Sequence, residues 1–459
     1  MDHEHGAVWT LQLGRFLFAS ALYGALVAVA PAAAQVGGAA EVLTLDQAIA
    51  LGMQNNRSIR RAELEVARAD DAVAAMRSRR GPSFDINFLE SRLLADVEFN
   101  FPAGAFGSFP IIGQIPATDT KIVTEAQWVS VGWLRVVQPI SQLHRIGLGV
   151  KQLELGRQGA TEQLRARREA VAADLRRIYY GILQTEGGIE ARERSLALHR
   201  EIDRVVAQLV EERLALPSDG LQVKAAIATQ EAALVKLRNA LATLHELLNA
   251  SIGRDIEAPF AVSPIPEPSA GEEALDALEA RARSSRPELR EASIAIERAR
   301  TGVRLKRAEQ LPDVSAMFSF LGFGQFEVIP PATTSVGVLV TWEPFDWGRR
   351  RREAAAGEKL VEQLEGTQRD AETLVRTEVR QAYRKYGEAR DALRVARMIQ
   401  ETAHEKLRVA LVRHREQQAL LRTVLEAQAD LAAADQQHND ALLAVGSARA
   451  DLERAVGGQ

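Results

Sequence analysis

The chain of 459 residues contains no cysteine, only 5% aromatic residues and, beyond its N-terminus, no long apolar run. Without cysteine, disulfide bonds, zinc–thiolate sites, iron–sulfur clusters and thiol nucleophiles are all excluded. The lack of long apolar helices excludes a multi-helix inner-membrane transporter. A net charge of −4 gives no indication of nucleic-acid binding. Charged residues make up 26% of the chain, and this fraction together with the strong apolar periodicity described below excludes wholesale disorder.

Residues 1–34 have the pattern of a secretory signal peptide. A polar region ends at Arg15, the apolar run 16–30 follows, and three alanines then provide a cleavage site before Gln35. An uncleaved anchor is the alternative, but 15 apolar residues are fewer than the roughly 20 that a spanning helix needs. The segment therefore predicts an exported protein.

The remainder of the chain contains two copies of one plan. Residues 57–88 resemble residues 286–320, and residues 131–139 resemble residues 336–344. Four prolines between 254 and 271 interrupt any helix there. The predicted organisation is a first repeat at 35–253, a linker or equatorial segment at 254–285 and a second repeat at 286–459.

Long helices account for most of each repeat. From about 143 to 214 no proline interrupts an apolar pattern with a spacing of three to four residues, which is typical of a coiled-coil seam. About 70 helical residues would span on the order of 100 Å. Pro217, Ser218, Asp219 and Gly220 mark the tip of the first helical hairpin, and Gln417 and Gln418 lie near the second.

Four short segments alternate apolar and polar residues with period two, which predicts β-strands at about 82–94, 126–139, 312–323 and 334–345. The loops within the two strand pairs are expected at about 95–125 and 324–333. All four tryptophans downstream of the signal peptide lie in or beside these strands, as expected for a lipid-facing band with aromatic girdles. The core of an ordinary β-sandwich is the alternative, although four strands would make a small one.

Membrane strands must close into a barrel, because an open sheet edge cannot face lipid. Bacterial barrels begin at eight strands, and this chain supplies four, so it must oligomerise. Two, three or four copies all satisfy this requirement. The predicted fold is thus mostly α with β: long coiled-coil helices with four membrane strands per chain.

Cations flank the strands, and Arg349 to Arg352 follow the fourth strand directly. One hypothesis is that these cations contact lipid phosphates at the inner face of the membrane; the alternative is a simple solvated junction. The residues predicted at the membrane interface are Trp128, Trp342, Trp347, Arg349 and Arg350.

Several segments in this order resemble the TolC-type outer-membrane efflux protein family. They are LTLDQAIALGMQNN (43–56), the paired arginine-led helices at 57 and 286, QPISQLHRIGLGV (138–150), EPFDWGRRRREA (343–354) and LEAQADL (425–431). The resemblance implies a homotrimer with one shared 12-strand barrel and a periplasmic α-barrel. It also implies a location in the outer membrane of a Gram-negative bacterium, with a periplasmic adaptor and an inner-membrane pump as partners.

The tip turns depart from the family pattern of Gly, Ser and Asp. Ala215, Ser218 and Leu221 stand at those places in the first tip, and Gln417, Leu420 and Thr423 in the second. The predicted adaptor-contact or gate residues are Pro217, Ser218, Asp219, Gly220, Gln417, Gln418, Leu420 and Arg422.

No H-E-x-x-H motif, Walker loop or G-x-S-x-G motif occurs in the sequence. Neither catalytic residues nor a cofactor or metal is predicted. The predicted function is a passive outer-membrane exit duct of a tripartite efflux or type I secretion system. The alternative is a structural periplasmic coiled-coil adaptor or spacer without a pore.

Overall fold

The computed structural model describes residues 41–213, 216–265, 273–324, 330–416, 418 and 421–458. The predicted signal peptide at 1–34 lies outside the described residues. Within them the helices are α1 (Leu45–Asn55), α2 (Arg57–Ser78), α3 (Gln142–Glu211), α4 (Pro217–Ile252), α5 (Leu275–Ser285), α6 (Pro287–Ala308), α7 (Arg349–Arg415) and α8 (Leu421–Val456). The strands are β1 (Glu41–Leu43), β2 (Ser83–Arg92), β3 (Val97–Phe101), β4 (Ser108–Phe109), β5 (Gly113–Gln114), β6 (Thr120–Thr124), β7 (Trp128–Pro139), β8 (Phe260–Val262), β9 (Asp313–Gly324) and β10 (Ala332–Thr341).

The fold is mostly helical with a smaller share of strands, as the sequence predicted. Corresponding helices of the two repeats have matching lengths: 11 residues in α1 and α5, 22 in α2 and α6, and 36 in α4 and α8. The long helices α3 and α7 have 70 and 67 residues. Helix α5 lies inside the segment predicted as a linker or equatorial segment at 254–285.

Short polar motifs define where the smaller helices begin. Thr44 and Gln47 form a capping box at the start of α1. The side chain of Asn56 accepts hydrogen bonds from the backbone N–H groups of Ser58 and Ile59, which starts α2. Helix α6 begins with Pro287, whose missing N–H is not needed in a first helical turn.

The core of the first repeat lies between α1, α3, α4 and β8. Its fully buried side chains include Leu175, Tyr179, Ile182 and Leu248. Helix α3 packs along α4 and helix α7 packs along α8, so each long helix forms a hairpin with the helix that follows it. Further apolar clusters, containing Val379 and Val445, hold α7 against α5 and α8.

The segment between β2 and β7, expected as a loop at about 95–125, contains two small antiparallel strand pairs. Strand β3 pairs with β6, and β4 pairs with β5. Both pairs are separate from the larger sheet.

Candidate functional site: the four-stranded sheet and the helix tips

Four strands form one antiparallel sheet in the order β10-β9-β7-β2. The two repeats meet at its centre, where β7 pairs with β9. Strands β2 and β10 are therefore the edges of the sheet, with no further strand beside them in the described part of the chain. The strands contain 10, 12, 12 and 10 residues in chain order.

One face of the sheet is apolar across all four strands. The register places Phe84 beside Val136, Val136 beside Phe318, and Phe318 beside Val336. Ile86 is 78% exposed and Val336 is 82% exposed, so this face lacks cover from the chain itself. An uncovered apolar face of this extent requires an apolar environment. The residues that form it are Phe84, Ile86, Phe88, Leu134, Val136, Phe318, Phe320, Val336, Val338 and Val340.

The opposite face carries a polar row across the same four strands. Asp85, Arg135, Ser319 and Ser335 are successive partners in the register. The Nε of Arg135 lies 3.8 Å from Oδ2 of Asp85, and the hydroxyl oxygens of Ser319 and Ser335 are 2.6 Å apart. The sheet therefore has one apolar face and one mixed face, where this polar row lies beside Trp133, Met317 and Leu321 and can contact water.

Two of the predicted interface tryptophans lie at opposite ends of the sheet. Trp128 begins β7 at the end where the loops emerge, and it is 53% exposed. Trp342 directly follows β10 at the helical end, where its Nε1 donates a hydrogen bond to the carbonyl of Gln310 over 3.3 Å. Trp347 stands fully exposed just before α7. This distribution is typical of aromatic side chains at the two boundaries of an apolar layer.

Asp346 caps the start of α7, where four arginines follow one another. Its carboxylate accepts hydrogen bonds from the backbone N–H groups of Gly348 and Arg350, each over 3.0 Å. These backbone hydrogen bonds, the one from Arg350 first, hold the pKa of Asp346 below its usual range, although burial opposes them. Sequence analysis did not identify Asp346, although an Asp shortly before a helical pattern is a recognisable start signal.

The four arginines divide into two pairs. Arg349 contacts Glu343 and Glu353, and Arg350 contacts Glu343 and Asp346. Arg351 and Arg352 form no ion pair within the described residues. The first pair therefore has intramolecular partners, whereas the second pair is available for another anion. Arg79 and Arg80, which precede β2, likewise have no ion pair within that part of the chain.

The residues predicted for the first helical tip lie at the start of α4. Its first turn contains Pro217, Ser218 and Gly220, together with the backbone of Asp219. Arg213, with φ of 59°, ends the incoming helix in the left-handed region. Pro217 occupies the first helical position, which proline favours because that N–H needs no helical partner.

At the second tip, Gln418 donates its backbone N–H to the carbonyl of Arg413 over 2.8 Å. Arg422 lies in the first turn of α8, and Gln417 and Leu420 lie outside the described residues. A groove of about 1000 Å³ runs between α7 and α8 beside this tip. Its lining includes Glu405, Lys406, Val409, Thr423 and Asp430.

Among the described residues, no helix contains an apolar stretch that is long enough to cross a membrane. The same part of the chain contains no group of three or more His, Asp or Glu side chains arranged to hold a metal ion. Buried titratable groups occur instead as single residues in the helical region. Burial raises the pKa of Glu186 and lowers that of His245.

Comparison with known proteins gives a family match in the second repeat and a fold for most of the chain. The family described as outer membrane efflux protein matches residues 278–458, which cover most of the second repeat. No curated protein matches the chain in sequence.

Three solved structures are similar over 90% of this chain. A membrane protein from Pseudomonas aeruginosa has 17% identity and a TM-score of 0.73 over 90% of its own length. The outer-membrane channel OprN has 16% identity and a TM-score of 0.72 over 90% of its length. The CmeC outer-membrane channel of Campylobacter jejuni has 14% identity and a TM-score of 0.71 over 85% of its length.

The chain thus has the fold of an outer-membrane channel. The match of the outer membrane efflux protein family to residues 278–458 supports the resemblance to TolC-type outer-membrane efflux proteins. These comparisons give no support to the poreless spacer. Of these similar structures, OprN and CmeC are outer-membrane channels.

Proposed function

We propose that three copies of this chain form a passive exit duct through the outer membrane. Each copy contributes β2, β7, β9 and β10 to one 12-strand barrel, and the long helices form a tunnel into the periplasm. The duct performs no chemistry: substrates pass from a periplasmic adaptor and an inner-membrane pump to the exterior.

The apolar face of the sheet is the observation that carries this proposal. Ten apolar side chains lie on one face across four strands, and the opposite face holds the Asp85–Arg135 row. A barrel in lipid needs this division, with apolar side chains outside and polar side chains toward a water-filled lumen. Strands of 10 to 12 residues also match the 9 to 11 residues that a tilted membrane strand needs.

The directions of the strands favour closure between copies. Because neighbours in the order β10-β9-β7-β2 are antiparallel, the edge strands β10 and β2 run in opposite directions. Strand β10 of one copy can therefore pair antiparallel with β2 of the next. Repeating this step three times around an axis leaves no open edge in lipid.

In the spacer alternative, both faces of the same sheet would be exposed to water. Phe84, Ile86 and Phe88 would then expose their side chains in adjacent positions of one edge strand, where 66%, 78% and 69% of their surfaces are uncovered. An exposed apolar edge strand of this kind promotes aggregation. The duct gives these side chains a lipid environment instead.

Engineered cysteines test the proposed seam, and the natural chain contains none that would interfere. Ser83→Cys on β2 would be combined in turn with Thr333→Cys, Ser335→Cys, Gly337→Cys and Leu339→Cys on β10, all on the lumen-side face. We expect at least one combination to give a covalent ladder ending at three copies after oxidation in intact outer membranes. The matched control combines Ser83→Cys with Ser319→Cys on the central strand β9, and it should give no ladder. Monomers from every combination would contradict the barrel.

A further inference from the structure

A cavity of about 610 Å³ lies among four helices of both repeats, away from the sheet and the tips. Helix α3 of the first repeat forms one wall, and α5, α7 and the end of α8 form the others. The lining residues are Glu169, Ala172, Arg176, Glu273, Leu278, Arg281, Tyr383, Tyr386, Gly387, Arg390, Arg449, Leu452, Glu453, Arg454 and Gly458.

The floor of the cavity is apolar and aromatic. Leu278 and Tyr386 are only 3% and 9% exposed, and each belongs to a different core cluster of the second repeat. Tyr383 and Leu452 pack on the edge of these clusters. The cavity therefore provides an apolar surface with two phenol rings beneath a charged rim.

The rim carries five arginines and three glutamates, so positive charge is in excess. Two of the glutamates form ion pairs with arginines of the same lining: Arg281 contacts Glu273 over 2.8 Å, and Arg449 contacts Glu453 over 3.1 Å. Glu169 contacts Arg165 over 3.2 Å, an arginine that does not line the cavity.

Arg176 and Arg454 have no carboxylate partner within the described residues. Arg176 is half-buried on α3, and Arg454 is exposed near the end of α8. The guanidinium carbon of Arg390 lies 5.8 Å from the centroid of the Tyr386 ring. A guanidinium beside an apolar floor favours a ligand that combines negative charge with an apolar body.

We propose that this cavity binds an anionic amphiphile, a molecule with one acidic head group and an aromatic or acyl body. Arg176 and Arg454 bind the head group, and Tyr383, Tyr386 and Leu452 contact the body. The ligand comes either from the soluble periplasm or from an anionic lipid, since both sources present this chemistry. The proposal goes beyond the duct function, because a duct can conduct whether or not this site is filled.

Naphthalene-2-sulfonate is a suitable soluble probe, because it joins one sulfonate to a flat apolar body. Its binding to the full-length protein, purified in an uncharged detergent, can be followed by saturation-transfer NMR and calorimetry. We expect saturable binding that weakens as salt increases, and at least about tenfold weaker binding after combined Arg176→Gln and Arg454→Gln substitution.

The matched control is Arg177→Gln, which removes an exposed neighbouring arginine that pairs with Asp174 and does not line the cavity. It should bind the probe as the wild type does, and the thermal midpoints of all variants show whether they are folded. Absence of saturable binding to the wild type would overturn the proposal. Equal binding of the uncharged 2-naphthalenemethanol, or unchanged binding in the double variant, would also overturn it.

Mass spectrometry of the protein extracted from membranes distinguishes the two sources. An anionic lipid that copurifies with the wild type and is lost from the double variant supports a lipid ligand. Probe binding without a copurifying lipid supports a soluble ligand. Loss of probe binding in an assembly that still conducts ions would be a failure of this site alone and not of the duct.

Discussion

The hydroxyl of Tyr179 accepts a hydrogen bond from the backbone N–H of Ser263 over 2.9 Å. The same oxygen lies 2.9 Å from the carbonyl of Leu43 and 2.8 Å from the carbonyl of Ser263. A fully buried side chain of the long helix α3 thereby holds both strands of the small β1–β8 sheet. Tyr383, its counterpart in the sequence duplication, forms no side-chain hydrogen bond within the described residues and lines the cavity instead.

Tyr179→Phe should lower the thermal midpoint of the purified assembly. The change removes the hydroxyl that donates to the Ser263 carbonyl, whereas the Ser263 N–H keeps the Leu43 carbonyl as a partner at 3.2 Å. The loss of this hydrogen bond costs about 0.5–1.5 kcal/mol. Tyr383→Phe is the matched control and should have little effect. Circular dichroism at 222 nm during heating measures both, and equal midpoints for the two variants would contradict the asymmetry between repeats.

Gly253→Ala should destabilise the fold, whereas Gly366→Ala should not. Gly253 ends α4 with φ of +75°, and an added Cβ would lie 2.9 Å from the backbone oxygen of Asn55. The left-handed conformation alone costs a non-glycine residue about 1–2 kcal/mol. At Gly366, within α7, nothing lies within 4 Å, so alanine should add roughly 0.5–1 kcal/mol of helix stability. Opposite shifts in thermal midpoint are therefore expected, and a stabilised Gly253→Ala variant would be incompatible with this geometry.

His245 should make the first repeat less stable in acid. Its ring stacks on Phe260 with centroids 4.5 Å apart, and its buried Nε2 has no hydrogen-bond partner. Because burial lowers the pKa of His245, the folded state favours the neutral ring. Its stabilising contribution is complete above the unfolded pKa, near 6.5, and decreases as the pH falls through the lowered folded value.

His245→Leu should reduce the fall in thermal midpoint between pH 7.5 and pH 5, because leucine keeps an apolar contact and cannot be protonated. His199→Leu serves as the control, since His199 lies on α3 and its Nδ1 is 2.7 Å from the carbonyl of Ser195. The same acid sensitivity in the His245 variant and the wild type would exclude this role.

The arginine pairs at the start of α7 should have separable effects. Arg351→Gln with Arg352→Gln removes the two cations that have no ion pair in the described residues, and if these contact lipid phosphate, assembly in the outer membrane should fall. Arg349→Gln with Arg350→Gln instead removes the contacts to Glu343 and Asp346 and should lower thermal stability. The measurements are trimer yield in outer-membrane fractions and thermal midpoint. Unchanged trimer yield in the first variant would favour the solvated junction.

Ser218→Arg should abolish export without changing assembly. Ser218 is exposed at the start of α4, where a bulky charge would meet an adaptor that docks on the tip. Ala225→Arg, also exposed and two turns further along α4, is the control and should export normally. Normal export by Ser218→Arg would exclude this tip as the docking site.

Much of the fold follows from periodicity in the sequence. The alternation around Phe84, Phe318 and Val338 marked three strands of the sheet, because one face of each needs apolar surroundings. The alternation around Trp133 marked β7, although Trp133 lies on the same face as Arg135. The uninterrupted apolar spacing of three to four residues from 143 onward likewise predicted α3. These patterns are local, so they can be read without knowledge of distant contacts.

Features that depend on distant or single polar contacts were not predicted. Helix α5 was not predicted within the proline-containing segment, because its 11 residues give only a short periodic pattern. The role of Tyr179 depends on Leu43 and Ser263, which are 136 and 84 residues away. Two small antiparallel strand pairs within the loop at 95–125 were also missed, since strands of two to five residues have little alternation.

The most direct test of the proposed duct is the oligomeric mass of the protein extracted from outer-membrane fractions, measured by light scattering with the detergent contribution subtracted. The account predicts three copies, which supply the 12 strands of one closed barrel. A monomer recovered from the soluble periplasm would contradict it and would favour the coiled-coil spacer.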